Sequence, residues 1–190
     1  MMGKVAAFVA KYAGKERPTP IKILSFILGS FAFFVLVPIA LGLIGHAAAK
    51  YVPIHLPRIL EVSIGLIGIS AGLVLLLWSV STFWRIGRGT PVPFASPVRL
   101  VTSGPFRYTR NPINLGAFLF YFGLGLVWDG LMTGLVMMAI AVTLGTLYHK
   151  SVEEKELAMR FGAEYERYRA RTSSFIPWPP KERGPARQRR

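Results

Sequence analysis

The chain contains no cysteine and few acidic residues or histidines: nine Asp and Glu and three His among 190 residues. Without cysteine, thiolate catalysis, thiolate metal sites and disulfides are excluded, and the redox compartment stays undetermined. His46, His55 and His149 are not spaced as metal ligands. We therefore expect no metal site.

Long apolar runs, in contrast, dominate the chain, since 52% of its residues are hydrophobic. A helix needs about 20 apolar residues to cross the ~30 Å hydrocarbon core of a bilayer. Residues 23–45 and 62–83 reach this length without a charge, and residues 113–128 and 131–148 form a shorter pair around Asp129. We predict an all-α polytopic transmembrane helix bundle of four spans. Five spans would result if the first segment turned back near Pro38 or if an amphipathic piece inserted.

Basic residues outnumber acidic ones by 23 to 9, and they are clustered. All of them except Lys50 and Arg58 lie within residues 1–22, 84–112 and 150–190. The positive-inside tendency places these three segments, and both termini, in the cytoplasm. We expect an integral protein of a prokaryotic cytoplasmic membrane. Nucleic acid is not an expected partner, because the basic segments flank lipid-buried helices.

The sequence divides into a basic cytoplasmic arm over 1–20, a membrane domain over 21–172 and a Pro-rich, basic tail over 173–190. Asn111 followed by Pro112 predicts a helix start, because Asn caps helices and Pro is tolerated at the first helical position. Residues 151–171 carry apolar side chains three or four positions apart, with Gly162 as a possible break. This spacing predicts a cytoplasmic C-terminal helical cap.

Two charged segments should meet at the cytoplasmic surface. Arg110 precedes the third predicted span, Glu153 and Glu154 follow the fourth, and these two spans form a tight hairpin. Arg107, Arg110 and the free N–H groups of a helix starting at Pro112 suit a carboxylate or phosphate. The two glutamates suit a ribose diol or an ammonium group. A solvated helix face beside basic residues that obey the positive-inside tendency is the simpler alternative.

The order of these motifs resembles the isoprenylcysteine carboxyl methyltransferase and phospholipid methyltransferase superfamily. The resemblance covers about residues 97–180 and rests on three blocks: Gly-Pro-Phe-Arg-Tyr-x-Arg-Asn-Pro-x-x-x-Gly from Gly104, Glu-Glu-x-x-Leu from Glu153, and Phe-Gly-x-Glu-Tyr-x-x-Tyr from Phe161. Asn111 stands where the superfamily usually has His, and Asn114 where Tyr is frequent. An imidazole base at position 111 is therefore excluded.

The resemblance implies an integral membrane methyltransferase that uses S-adenosylmethionine, bound by a cofactor region over 97–172. It implies catalytic roles for Arg110, Asn111 and Glu154. Candidate cofactor-binding residues are Arg107, Tyr108, Arg110, Asn111, Pro112, Gly116, Glu153 and Glu154. Candidate acceptor-binding residues are Trp84, Tyr121, Tyr168 and Arg171. His149 is interpreted as an interfacial anchor or, alternatively, as a base.

The expected acceptor is lipophilic: a phospholipid amine, an isoprenylcysteine-like carboxylate, or a small thiol or amine that enters from the bilayer. A membrane reductase that uses NADPH and a noncatalytic membrane protein are the alternatives. Oligomeric state is not readable from the sequence. The spacing of Gly65, Gly68 and Gly72 permits close helix contact, either within the bundle or between copies.

Overall fold

A computed structural model of the protein describes residue 7 and residues 18–91 and 97–179. Most of the predicted basic arm and residues 180–190 of the predicted tail lie outside this part. The helices of the described part are α1 (Thr19–Ala49), α2 (Arg58–Gly87), α3 (Pro112–Trp128), α4 (Leu131–Tyr148) and α5 (Glu154–Arg171). A 3-10 turn covers Gly104–Arg107. Each of the four predicted apolar segments coincides with a helix.

Within the described residues, three helices are long and apolar enough to cross a membrane: α1, α2 and the continuous helix Leu131–Arg171, which contains α4 and α5. The fourth apolar helix, α3, is shorter, with 17 residues. Large apolar side chains such as Leu28, Leu43, Ile67 and Leu77 are more than half exposed along α1 and α2. Such continuous exposure of apolar surface fits a hydrocarbon environment. Among the described residues regular structure is helical, and Thr109 and Ser173 form an isolated bridge.

Helix α1 does not turn back near Pro38, and the alternative that the chain turns there is wrong. A proline inside a helix lacks an N–H group and its ring clashes with the preceding turn. Residues Ala32–Leu36 widen into a π-helical turn immediately before Pro38, which leaves room for the ring. The carbonyl oxygen of Phe33, five residues before the proline, instead accepts a hydrogen bond from the Tyr121 hydroxyl at 2.9 Å.

Helices α2 and α3 pack at backbone distance through glycines. A Cβ atom on Gly72 would lie 2.7 Å from the carbonyl oxygen of Gly116, and one on Gly116 would lie 3.0 Å from the carbonyl oxygen of Gly72. Gly65 and Gly123 form an equivalent contact further along the same pair of helices. The small-residue spacing on α2 is therefore used inside the bundle.

A tight turn joins α3 to α4, as the sequence Trp128-Asp129-Gly130 predicts. Arg58 donates through Nη1 to the carbonyl oxygen of Leu126 at 3.0 Å, and so satisfies one of the last carbonyls of α3. The buried carboxylate of Glu61 accepts from the N–H of Leu131 at 2.9 Å, at the first turn of α4. The Arg58–Glu61 pair thus caps both helices of the hairpin.

At the opposite end of the hairpin, α4 continues into α5 through a π-helical turn, His149–Glu153. The predicted break at Gly162 is confirmed: its φ of 48° and ψ of −125° kink α5. Residues 172–179 then fold back as an extended strap against the loop before α3. The N–H of Arg110 donates to the Ser173 carbonyl oxygen at 2.8 Å, and the N–H of Trp178 donates to that of Tyr108 at 3.0 Å.

Candidate functional site

A cavity of about 230 Å³ lies where the end of α2, the loop before α3, the start of α3 and the α4–α5 junction meet. Its walls combine charged and apolar side chains. The polar residues that line it are Thr90, Arg99, Arg110, Asn111, Asn114, Tyr148, Glu153, Glu156, Arg160 and Tyr168. Phe83, Leu100, Val101, Phe106, Ile113, Val152, Leu157 and Phe161 are among the apolar ones. The cavity is thus suited to a ligand with both polar and apolar parts.

Arg110 and Glu154 form a largely buried ion pair. Arg110 Nη1 is 2.9 Å from Glu154 Oε1, and the two side chains are 10% and 17% exposed. The same Nη1 lies 3.3 Å from the Tyr165 hydroxyl oxygen, to which it donates. Arg110 Nε is buried and makes no hydrogen bond. A buried guanidinium in the cavity wall therefore retains an unused donor.

His149 lies beside this ion pair and contacts both glutamates. Its Nδ1 donates to Glu153 Oε2 at 3.0 Å, and its Nε2 lies 3.2 Å from Glu154 Oε1. The second contact is close but makes no hydrogen bond, since Nε2 has no hydrogen-bond partner. Glu153 is the more exposed of the two glutamates and lines the cavity. Glu154 instead faces Arg110.

Asn111 occupies the N-cap position of α3 and Pro112 the first helical position, as the sequence predicts. The Asn111 side chain, however, makes no capping hydrogen bond. Its Nδ2 donates to the Ser174 carbonyl oxygen at 3.2 Å, and its Oδ1 accepts from Asn114 Nδ2 at 3.4 Å. The predicted side-chain cap is therefore wrong, because the strap offers the Asn111 amide another partner.

The lining of the cavity also includes a second buried ion pair, between Glu156 and Arg160. Arg160 also donates to the carbonyl oxygen of Pro97, and so joins α5 to the loop before α3. Burial raises the pKa of the Glu156 carboxyl, although the Arg160 guanidinium opposes the shift. Burial likewise raises the pKa of Tyr165 to about 12. The Tyr165 phenol is therefore a neutral hydrogen-bonding group at physiological pH.

The structure brings Arg110, Asn111, Pro112, Glu153 and Tyr168 together around the cavity. Tyr168 is held there by a hydrogen bond from its hydroxyl to the Phe106 carbonyl oxygen at 2.7 Å. Burial raises the pKa of the Tyr168 phenol above its ordinary value.

Four predicted cofactor-binding residues do not line this cavity. Glu154, as described above, faces Arg110 instead. The Arg107 side chain is exposed, and Tyr108 is 40% exposed, with its carbonyl oxygen engaged by the strap. Gly116 faces α2, where a Cβ atom would lie 2.9 Å from Leu76 Cγ. Its small size therefore serves helix packing.

Three predicted acceptor-binding residues also lie away from the cavity. Trp84 packs edge-on against Phe26, with ring centroids 6.1 Å apart. The Tyr121 hydroxyl is engaged by α1, as described above. Arg171 is exposed and donates to the Arg167 carbonyl oxygen at 3.1 Å, within its own helix.

Sequence reasoning missed the close association of His149 with both glutamates. At 1% side-chain exposure, His149 is not an interfacial anchor, and this part of the interpretation is wrong. The positions of the glutamates, four and five residues after the histidine, were the available signal. Reading that signal required knowing that the helix widens into a π turn there.

The fold describes a membrane-embedded helical protein with a charged, partly apolar cavity at one end of its bundle. The sequence model of the phospholipid methyltransferase family matches residues 60–164, which is more than half of the chain. The chain therefore belongs to the phospholipid methyltransferase family, a family of membrane methyltransferases, and the resemblance read from the sequence is confirmed.

Methanethiol S-methyltransferase 1 of Bradyrhizobium diazoefficiens is 30% identical to this chain over 84 residues. The matched segment amounts to 44% of this chain and spans 28% of the relative's length. No solved structure matches the chain.

Proposed function

We propose that the protein is an S-adenosylmethionine-dependent methyltransferase that acts on a lipophilic acceptor within the bilayer. The observation that carries this proposal is the cavity whose wall contains Arg110, with its unused buried Nε, together with the first turn of α3 and Glu153. Family membership and the methyltransferase relative support the reaction class.

The charges of the cavity wall fit the charges of the cofactor. Its methionyl part carries a carboxylate and an ammonium group, and its ribose carries two hydroxyl groups. Arg110 Nε and the N–H groups of the first turn of α3, where Ile113 and Asn114 line the cavity, would hold the carboxylate. Glu153 would accept hydrogen bonds from the ammonium group or the ribose. Glu154 would act through Arg110, whose charge it balances.

The bound cofactor supplies an activated methyl group on a sulfonium. The protein then has to align the acceptor with this group and exclude water, and such positioning provides much of the rate without a protein nucleophile. The apolar side chains of the cavity, among them Phe83, Val101, Phe106 and Phe161, would exclude water from the reacting atoms. Tyr168 and Asn114, which face the same space, would orient the acceptor.

The acceptor is proposed to be a phospholipid amine or a small lipophilic thiol or amine, with an isoprenylcysteine-like carboxylate as the third class. The family description supports the phospholipid, and the relative's name supports the thiol. In each case the acceptor would reach the cavity from the bilayer, which gives a reason for the protein to be embedded in the membrane. The exposed apolar surface of the helices fits this location.

The proposed topology has four spans, formed by α1 to α4, with α5 as a cytoplasmic cap and both termini in the cytoplasm. Described residues of two of the three basic segments, 84–112 and 150–190, line the cavity. The turn at Asp129 would lie on the other side, with Lys50 and Arg58. Labelling of single cysteines introduced at positions 50 and 155 of this cysteine-free chain tests this arrangement in intact cells.

The test of function is calorimetric titration of the detergent-purified protein with S-adenosylhomocysteine, with NADPH as the parallel ligand. We expect binding of the first ligand, weakened about tenfold or more in Glu153→Gln and Arg110→Ala, since each loses a hydrogen bond to a charged group. Binding of NADPH alone would support a reductase, and binding of neither ligand a noncatalytic protein. Unchanged affinity in both variants would refute the assigned site.

If S-adenosylhomocysteine binds, the acceptor class is tested next with labelled methyl donor. The purified protein is supplied in turn with phosphatidylethanolamine vesicles, a short-chain alkyl thiol and a farnesylated cysteine. Label in the lipid, in a volatile thioether or in a methyl ester identifies the amine, thiol or carboxylate class.

A further inference from the structure

His149 is a buried imidazole that contacts two acidic side chains at once. Its Nδ1 donates to Glu153 Oε2 at 3.0 Å, and its Nε2 is 3.2 Å from Glu154 Oε1. The ring itself does not line the cavity. It lies edge-on to Phe175 of the strap, with centroids 5.6 Å apart.

The π-helical turn explains how one histidine reaches both glutamates. In an α-helix, residues i+4 and i+5 point about 100° apart, so that a side chain at position i faces only the first of them. A turn with i→i+5 hydrogen bonds brings position i+5 over position i. The turn His149–Glu153 has this geometry, since the N–H of Glu154 donates to the His149 carbonyl oxygen. Glu153 and Glu154 therefore flank the same imidazole.

Each glutamate has a different task, and His149 is in contact with both. Glu153 extends to the cavity, where it is 36% exposed, whereas Glu154 faces inward to Arg110. Without an imidazole between them, two neighbouring carboxylates would repel each other and turn to whatever donors or solvent they could reach. A histidine in this position also has a cost, because burying its polar atoms beside charges brings less stability than an apolar side chain of similar shape. Selection for packing alone does not account for it.

We propose that His149 is a positioning residue: its Nδ1 hydrogen bond holds Glu153 toward the ligand cavity, and its close contact with Glu154 keeps that side chain against Arg110. This inference rests on the proposed function, because its measured consequence is cofactor affinity. His149 acts through the two carboxylates and does not touch the ligand. Its removal therefore weakens ligand binding only as long as those carboxylates are present to be misplaced.

The test is a double-mutant cycle read by S-adenosylhomocysteine affinity in calorimetry. His149→Phe keeps a ring of similar shape without the Nδ1 donor, and we expect it to weaken binding about tenfold to a hundredfold. In a Glu153→Ala background, the same substitution should cost at least about fivefold less, because the positioned carboxylate is already absent. His149→Gln, whose amide reaches one carboxylate, should lie between wild type and His149→Phe.

The matched control is His46→Phe. His46 also pairs with a carboxylate, that of Asp129 at 3.1 Å, but it lies at the other end of the α3–α4 hairpin. This variant should bind as wild type does. If wild type bound no S-adenosylhomocysteine, the proposed function would fail. If wild type bound S-adenosylhomocysteine and both His149 variants bound it with the same affinity, the positioning role alone would fail. It would also fail if the losses of binding free energy caused by the His149 and Glu153 substitutions were additive. Should His149→Phe not fold, His149→Gln in the same cycle gives the same decision.

Discussion

Substitution of Glu154 by alanine removes the partner of a guanidinium that is only 10% exposed. Removal of one member of a buried ion pair costs about 3–5 kcal/mol, because the other charge stays desolvated without compensation. Arg110 keeps the Tyr165 hydroxyl at 3.3 Å as a second acceptor, which favours the lower half of this range. Glu154→Gln retains an acceptor oxygen at the same place and should cost about 1–2 kcal/mol.

The assay is thermal unfolding of the purified protein in one detergent, followed by tryptophan fluorescence. For a chain of this length, 1 kcal/mol corresponds to a melting-temperature shift of roughly 2–4 °C. We therefore expect a decrease of about 6–16 °C for Glu154→Ala and of about 2–8 °C for Glu154→Gln. Both variants are compared at equal pH and ionic strength.

Glu166→Ala is the matched control. Glu166 Oε1 is 3.6 Å from Arg169 Nη1, and both side chains are about half exposed, at 55% and 50%. An exposed pair of this kind contributes at most about 1 kcal/mol. If Glu154→Ala melted within 2 °C of Glu166→Ala, the Arg110–Glu154 pair would not be a buried, stabilising contact, and the argument from its burial would be refuted.

Three further predictions concern the bundle, each measured by the same melting assay. Tyr121→Phe leaves the Phe33 carbonyl unpaired and should cost about 1 kcal/mol; an unchanged melting temperature would show that another donor replaces the hydroxyl. Gly72→Ala should destabilise more than Gly68→Ala, since the nearest atom to the added Cβ is 2.7 Å away in the first case and 3.1 Å in the second; equal melting temperatures would contradict the close contact. Glu61→Gln should cost about 1–3 kcal/mol, because a buried carboxylate that accepts two backbone N–H groups is lost; a stable variant would refute its capping role.

The site shows how a hairpin topology converts sequence distance into spatial proximity. Arg110 and Glu154 are 44 positions apart, yet they lie within 2.9 Å because α3 and α4 run out and back and return the chain to the same end of the bundle. This proximity was expected from the apolar runs and the Asp129–Gly130 turn. Which glutamate faces the cavity was not, since neighbouring carboxylates are equivalent in a sequence.

Several individual contacts have no signature in the local sequence. The backbone carbonyl oxygen of Ser173 accepts from Arg110, and that of Ser174 accepts from Asn111. Any residue at these two positions would supply the same atom. Tyr121 is a candidate acceptor-binding residue in the sequence. Its hydroxyl instead donates to the Phe33 carbonyl oxygen, which lacks a backbone donor because of Pro38. This hydrogen bond forms only when α1 and α3 are packed together.

The sequence by itself determined the four apolar helices, the start of α3 at Asn111–Pro112, the turn at Asp129 and the membership of the chain in its family. These depend on apolar run length, on proline and glycine geometry and on motif order, all of which are local or linear properties. Only the tertiary structure decided that α1 continues through Pro38, that Gly116 packs against α2 and that His149 contacts both glutamates. These depend on which groups meet across helices and on where a helix contains a π-helical turn. No single segment of the chain contains that information.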